Sequence, residues 1–177
     1  MDLEVSAELR KNPAYVWTAY VEETAALLGA ALAIMNPNIY DAGIQCIRTF
    51  SENPHKINKN DRLGQILQIW ASPYTACSLI NNRNTPLHRD NGANYQAMDL
   101  LTTVGDYKNG WLELPGLGYR LRYNSGTVVT IAGRVVRHGA TADGERLCWA
   151  QYLRQSVLES LEIPEPSWVS VMDITSQ

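Results

Sequence analysis

Arg146-Leu147-Cys148-Trp149-Ala150-Gln151-Tyr152-Leu153-Arg154 separates into two unlike faces when alternate residues are grouped. Side chains two apart share a face on a strand. One face reads Arg146, Cys148, Ala150, Tyr152, Arg154; the other reads Leu147, Trp149, Gln151, Leu153. The segment is read as a β-strand, and its neighbours repeat the texture. Tyr74–Ile80, Met98–Val104, Trp111–Leu114, Tyr119–Tyr123, Thr127–Ala132 and Val135–His138 are short runs rich in Val, Ile, Tyr, Trp and Thr. Turn signals stand between them: Asn109-Gly110, Pro115-Gly116, Asn124-Ser125-Gly126 and Asp143-Gly144. This spacing of short strands predicts a small sandwich or jelly-roll barrel over residues 62–157.

Upstream of the strands the pattern is helical. Asn12-Pro13 reads as an N-cap followed by proline at the first helical position. Ala14 to Met35 follows, with Tyr20, Thr24, Leu27, Leu28, Ala31 and Met35 at helical spacing. Asn36-Pro37 stops this helix and opens a second that reaches Phe50. Ser51 to Lys59, with Pro54 and mostly polar side chains, reads as a loop. Residues 1–60 are thus a helical support expected to pack on one sheet, and 158–177 a C-terminal tail. The chain beyond Gln155, with Pro164 and Pro166, is expected to lie on the surface. The expected class is α+β, mainly β, as one domain over 1–177.

The bulk composition suits a globular chain: 177 residues, 45% hydrophobic, 19% charged, net charge −3. No apolar run approaches the roughly 18–20 residues of a membrane helix, so no membrane is expected. The opening Met1-Asp2-Leu3-Glu4-Val5 has no signal-peptide pattern. Cys46, Cys77 and Cys148 stand alone, without the paired spacing of a zinc cluster or a disulfide scaffold. That points to a reducing, intracellular compartment. A monomer is expected. Charge is unevenly spread: residues 83–154 hold 9 Lys/Arg against 6 Asp/Glu, while the rest of the chain is net acidic. The modest excess suits an anionic co-substrate or a polyanionic substrate, but not a strong non-specific DNA binder.

The basic stretch also holds the chemistry. The chain has 3 histidines. His88 and Asp90 form a His-x-Asp pair, and His138 follows at the end of a predicted strand. On an extended strand His88 and Asp90 would share a face, with Arg89 turned away. A 2-His-1-carboxylate face with open positions is the ligand set of non-haem Fe(II) oxygenases. Arg146 then offers a fork-shaped cation to the carboxylate of a keto acid, with Arg83 or Arg137 as the next choices. Two readings of the last strand compete. In one, Arg146, Cys148 and Ala150 floor a small-acid pocket, with Tyr152 and Arg154 beyond it for a flat substrate. In the other, Trp149 and the leucines pack the core while both arginines lie in solvent and His138 is an ordinary core histidine. His55, in the polar loop, reads as solvent-exposed.

Asn109-Gly-Trp-Leu-Glu-Leu-Pro115, Gly126-Thr-Val-Val, His138 and Gly144-Glu-Arg146 resemble the second half of the double-stranded β-helix of Fe(II)/2-oxoglutarate dioxygenases. The likeness covers about residues 74–157. Within that superfamily, His88-Arg89-Asp90 and the strand from Arg146 to Tyr152 are similar to the TET/JBP group of nucleic-acid oxygenases, especially its compact fungal members. The resemblance implies His88, Asp90 and His138 as iron ligands and as the catalytic centre. It implies Fe(II), 2-oxoglutarate and O2 as cofactors, with Arg146 and Cys148 at the co-substrate. It implies a methylated base in DNA, 5-methylcytosine or N6-methyladenine, as substrate, and hence a nuclear location. Tyr152, Arg154, Arg89, Asn91 and Asn94 are the implied substrate contacts. Arg154 stands where the group has a base-contacting histidine. Asn91 and Asn94 stand near, not at, its base-binding asparagine. The cysteine-rich zinc region of animal TET enzymes is absent.

Two other functions fit the same residues. One is the same chemistry on a small molecule or a protein side chain, which suits the pI of about 5.6. The other is a non-catalytic binding module, against which the complete ligand set speaks.

Overall fold

The computed structural model describes residues 3–172. Residues 1 and 2 of the expected helical support and 173–177 of the expected tail lie outside the described residues. The chain divides into two compact units: residues up to Thr75 together with those from Gln155 on, and Ala76–Arg154.

The first unit is helical. It contains α1 (Asn12–Tyr20), α2 (Glu22–Met35), α3 (Pro37–Glu52), α4 (Leu63–Ile69), α5 (Gln155–Ser160) and a short parallel pair, β1 (Leu3–Glu4) with β2 (Ile57–Asn58). Asn36 caps α3 as its sequence suggests: its side chain accepts from the Ile39 N–H at 3.3 Å, and Pro37 occupies the first turn. The single helix expected from Ala14 to Met35 is two helices, broken at Val21 with a bend of 60°. The N-cap of α1 is Lys11, not Asn12. Tyr20 and Leu27 of the expected apolar stripe are exposed; the buried face is Ala25, Leu28, Gly29 and Leu32. α4 falls where the strand texture is expected to begin. Its Leu63, Ile66 and Leu67 have helical spacing and pack with Val5, Ile57 and Phe50. The expected surface tail is in part core: Leu158, 1% exposed, and Leu161 pack on Cys46. Among the described residues no single helix is long and apolar enough to cross a membrane.

The second unit is a jelly roll built around two long strands. Its elements are β3 (Ala76–Asn81), β4 (Thr85–His88), β5 (Asp99–Leu114), β6 (Tyr119–Arg122), β7 (Val128–Ile131) and β8 (His138–Tyr152). All pairings are antiparallel, and β5 runs beside β8 for most of its length. The C-terminal half of β8 pairs with β3, and the N-terminal half of β5 with β7. The N-terminal half of β8 pairs with β4, and the C-terminal half of β5 with β6. Each half therefore makes a four-stranded layer, β3-β8-β5-β7 and β4-β8-β5-β6. Leu112, Leu114 and Ala140 of one layer pack with Leu101, Val129 and Ile131 of the other, so the layers face each other across a core. This is the expected double-stranded β-helix.

The turn signals at Asn109-Gly110 and Asp143-Gly144 mark no chain reversal. They lie opposite each other inside β5 and β8, where the register shifts between Lys108 and Trp111. Asn109 Nδ2 donates to Asp143 Oδ2 at 2.9 Å. Gly105 (φ 138°) and Gly144 (φ 120°) bend the ribbon from one layer to the other. At Gly105 any Cβ would lie 2.1 Å from the Glu145 carbonyl oxygen. Val135–His138 is not a strand; residues 133–136 are turn and bend, and His138 begins β8 instead of ending a strand.

Candidate metal centre

β4 and β8 bring the first two ligands together because His88 and His138 are direct cross-strand partners. Their rings are 4.4 Å apart. Asp90 does not reach the site by strand alternation. β4 ends at His88, and Asp90 sits in a turn fixed by its N–H on the Gly133 carbonyl (3.0 Å) and its own carbonyl on the Ala93 N–H (3.1 Å). His88 Nε2 lies 3.2 Å from Asp90 Oδ1, and His138 Nε2 lies 3.5 Å from Asp90 Oδ2. One donor atom from each residue falls within 4.8 Å of the others.

The tautomers follow from the backbone. His88 Nδ1 is 2.9 Å from the Pro86 carbonyl, and His138 Nδ1 is 3.0 Å from the Val136 carbonyl. A carbonyl oxygen only accepts, so each Nδ1 carries the proton and each Nε2 presents a lone pair. With both imidazoles neutral, two lone pairs and a carboxylate converge with no N–H or O–H between them. Such a set is favourable only around a cation. Metal bonds of about 2.1 Å at right angles place neighbouring donors roughly 3 Å apart, which the observed spacings approach. The residues fit a divalent metal. Gly133 keeps the space: a Cβ there would lie 2.2 Å from Asp90 Oδ2.

Arg146 is on the same side of the barrel wall. Ala140 pairs with the core residue Leu112, so alternation turns His138 inward; Ala150 pairs with Leu101, so Cys148 and Arg146 also turn inward. Arg146 is 3% exposed. Its Nη2 donates to the Arg83 carbonyl at 2.8 Å, while Nη1 is buried without a hydrogen-bond partner. A buried cation with an unpaired N–H group is costly unless an anion meets it. The fork expected from sequence is therefore half spent on backbone, and Nη1 is what remains for a carboxylate. Arg83 supplies its carbonyl here, and the Arg137 side chain is exposed.

Tyr123 completes this interior. Its ring centre lies 5.7 Å from the Arg146 guanidinium, and its Oη lies 3.6 Å from Cys148 Sγ. Burial pushes the Cys148 thiol pKa up, so it stays neutral and is no nucleophile. Burial also raises the pKa of Tyr123. Asp99, opposite Ile131 on β5, is 6% exposed. Burial first, and then the charge of Asp90, push its carboxyl pKa up to about 7. Sequence reasoning missed both. Tyr123 ends the expected strand Tyr119–Tyr123 and Asp99 lies inside the expected strand Met98–Val104, and no spacing rule ties either to the triad.

The other expected site residues scatter around this centre. Tyr152 is half-buried, with Oη 3.1 Å from Ser78 Oγ. The Arg154 guanidinium lies 5.7 Å from the Tyr152 ring centre. Arg89 points away from the triad, its Nε donating to the Val135 carbonyl at 3.0 Å. Asn91 is exposed and gives its carbonyl to Arg134. Asn94 is buried; its Oδ1 accepts from the N–H groups of Gln96 and Ala97, and its Nδ2 has no hydrogen-bond partner.

A facial set of two histidines and a carboxylate inside a jelly roll defines a class of mononuclear non-haem oxygenases. Residues 6–155 match the family Tet_JBP, described as the oxygenase domain of the 2OGFeDO superfamily, and the chain belongs to it. That superfamily uses Fe(II), 2-oxoglutarate and O2. No curated protein matches this chain.

Proposed function

We propose that this oxygenase oxidises the methyl group of a methylated base in DNA, 5-methylcytosine or N6-methyladenine, and consumes 2-oxoglutarate and O2. His88, Asp90 and His138 hold the iron, and Arg146 holds the co-substrate. The carrying observation is the buried, unpartnered Nη1 of Arg146 on the interior face that also bears His138. When bound, the iron with 2-oxoglutarate and O2 supplies the oxidant for a C–H bond, with succinate and CO2 formed alongside.

The protein's part is placement. The Pro86 and Val136 carbonyls fix both imidazoles by their Nδ1–H groups. Arg146 Nη1 orients the far carboxylate of the keto acid, and Cys148 and Ala150 leave room beside it. A base must leave the helix stack to reach this interior. Tyr152, farther along the same face, stacks on it, with Arg154 beside the ring. The excess of positive charge in residues 83–154 supports a phosphate-bearing substrate. On this reading the chain works where DNA is held, in a nucleus.

The test is mass spectrometry of nucleosides after incubation of methylated DNA with the protein, Fe(II) and 2-oxoglutarate. Oxidised methyl products that vanish without 2-oxoglutarate are expected. Succinate release on small-molecule or peptide pools, with methylated DNA left intact, would move the substrate to the second reading, which the pI of about 5.6 favours.

A further inference from the structure

The loop after Asp90 carries an aromatic–cation pair that the reaction does not use. Arg134 Nη1 donates to the carbonyls of Asn91 and Ala93 at 2.5 and 2.9 Å. Its guanidinium then lies 4.1 Å from the centre of the Tyr95 ring. Tyr95 is nevertheless 57% exposed. With a guanidinium against one face of the ring, the exposure belongs to the other face and the edge.

This pair is tied to the site on two sides. Arg134 follows Gly133, whose carbonyl receives the Asp90 N–H. Ala93 forms a bridge with Arg154, the residue whose guanidinium sits beside the Tyr152 ring. Two tyrosine–arginine pairs therefore flank one bridge, beside the metal-binding turn. Arg89 stands just before Asp90, exposed at the edge of the same loop. The three stretches that meet here, 84–98, 129–138 and 150–154, contain one acid, Asp90. An exposed ring backed by a guanidinium group, a half-buried one beside it, cations around both and no free carboxylate match a chain that alternates flat bases with phosphates. A small molecule in the interior has no use for a second platform outside it.

We propose that Tyr95, backed by Arg134, is a stacking platform for a nucleotide neighbouring the one that is oxidised, with Arg89 and Arg154 on the adjoining phosphates. The proposal rests on the nucleic-acid reading above and names a subsite of it.

The experiment is fluorescence anisotropy of a labelled methylated oligonucleotide with the Mn(II)- and 2-oxoglutarate-loaded protein, without O2, at two salt concentrations. Tyr95→Ala is expected to weaken binding about tenfold, and Tyr95→Phe to retain it. Tyr95→Leu keeps bulk over Arg134 but lacks the π-face, so it should weaken binding as Tyr95→Ala does. Arg89→Gln should lower the salt slope by about one. Mn(II) affinity, read in parallel, should be unchanged in the Tyr95 variants. A fall in Mn(II) affinity would mean that Tyr95 only props the metal-binding turn, and it overturns the platform. Wild-type affinity in Tyr95→Ala and Tyr95→Leu overturns the platform and leaves the proposed substrate standing. A wild-type protein that binds no methylated oligonucleotide removes both.

Discussion

The two halves of β8 do comparable work in opposite states. At the N-terminal half, His138 arrives with its ring already fixed by a backbone carbonyl and its Nε2 aimed at Asp90. At the C-terminal half, Arg146 has given one N–H group to Arg83 and keeps another buried and unpaired. The histidine end is complete in itself, while the Arg146 end keeps a donor that no protein group meets; on the proposed function that donor serves the co-substrate. On that reading the chain separates a resident ligand from a consumed one: backbone carbonyls hold the imidazoles where the partner stays, and an unmet donor waits where the partner turns over.

The sharpest way to break this comparison is at the complete end. His138→Ala and Asp90→Ala should each weaken Mn(II) or Fe(II) binding by roughly tenfold or more and abolish turnover. Isothermal titration that finds wild-type affinity in the His138 variant removes the metal assignment. At the incomplete end, Arg146→Ala should raise the KM for 2-oxoglutarate by roughly 100-fold, and Arg146→Lys by less, with metal affinity retained. A normal 2-oxoglutarate requirement in Arg146→Ala would mean that the unpaired Nη1 is not the anchor.

Smaller effects lie farther along the strand. Tyr152→Ala should slow turnover of a methylated base by about 2 kcal/mol, or roughly thirtyfold, while 2-oxoglutarate is still decarboxylated without product. If Tyr152 is only packing, the same variant would lower Tm and lose both activities together. The mildest test is pH. Burial, and then the charge of Asp90, push the Asp99 carboxyl up to about 7 from its ordinary 3.8. In that window the unfolded chain ionises first, so the metal-free fold loses stability as pH rises from about 4 through 7. Asp99→Asn removes this slope. Its melting temperature, relative to wild type, should gain more at pH 8 than at pH 4. Equal gains at both values would show that Asp99 is already ionised in the fold.

What could be read from the chain followed its chemistry more closely than its geometry. His88, Asp90 and His138 were legible because few side-chain sets hold such a metal, wherever they stand. The route by which Asp90 reaches the site was not, because the Gly133 carbonyl that holds its turn comes from far along the sequence. Asn109-Gly110 and Asp143-Gly144 read as turns because turns and bulges ask for the same thing, positive φ. Asn109 (φ 50°) and Gly144 (φ 120°) meet that need inside long strands. Leu63–Ile69 escaped because a short apolar run looks alike in helix and strand. Tyr123 and Asp99 matter through neighbours that only the folded barrel supplies.

Because β5 and β8 belong to both layers, neither layer can assemble or come apart by itself. Their pairing joins residues far apart in sequence, from Leu100 with Gln151 to Glu113 with Gly139. Such contacts repay their loop-closure entropy late, which slows folding. His88 and His138 likewise meet only through the β4–β8 pairing, and Asp90 joins them only through the distant Gly133 carbonyl. A metal ion therefore has no organised site early in folding and acts mainly as a lock on the finished barrel, slowing its escape from the native state more than it speeds arrival.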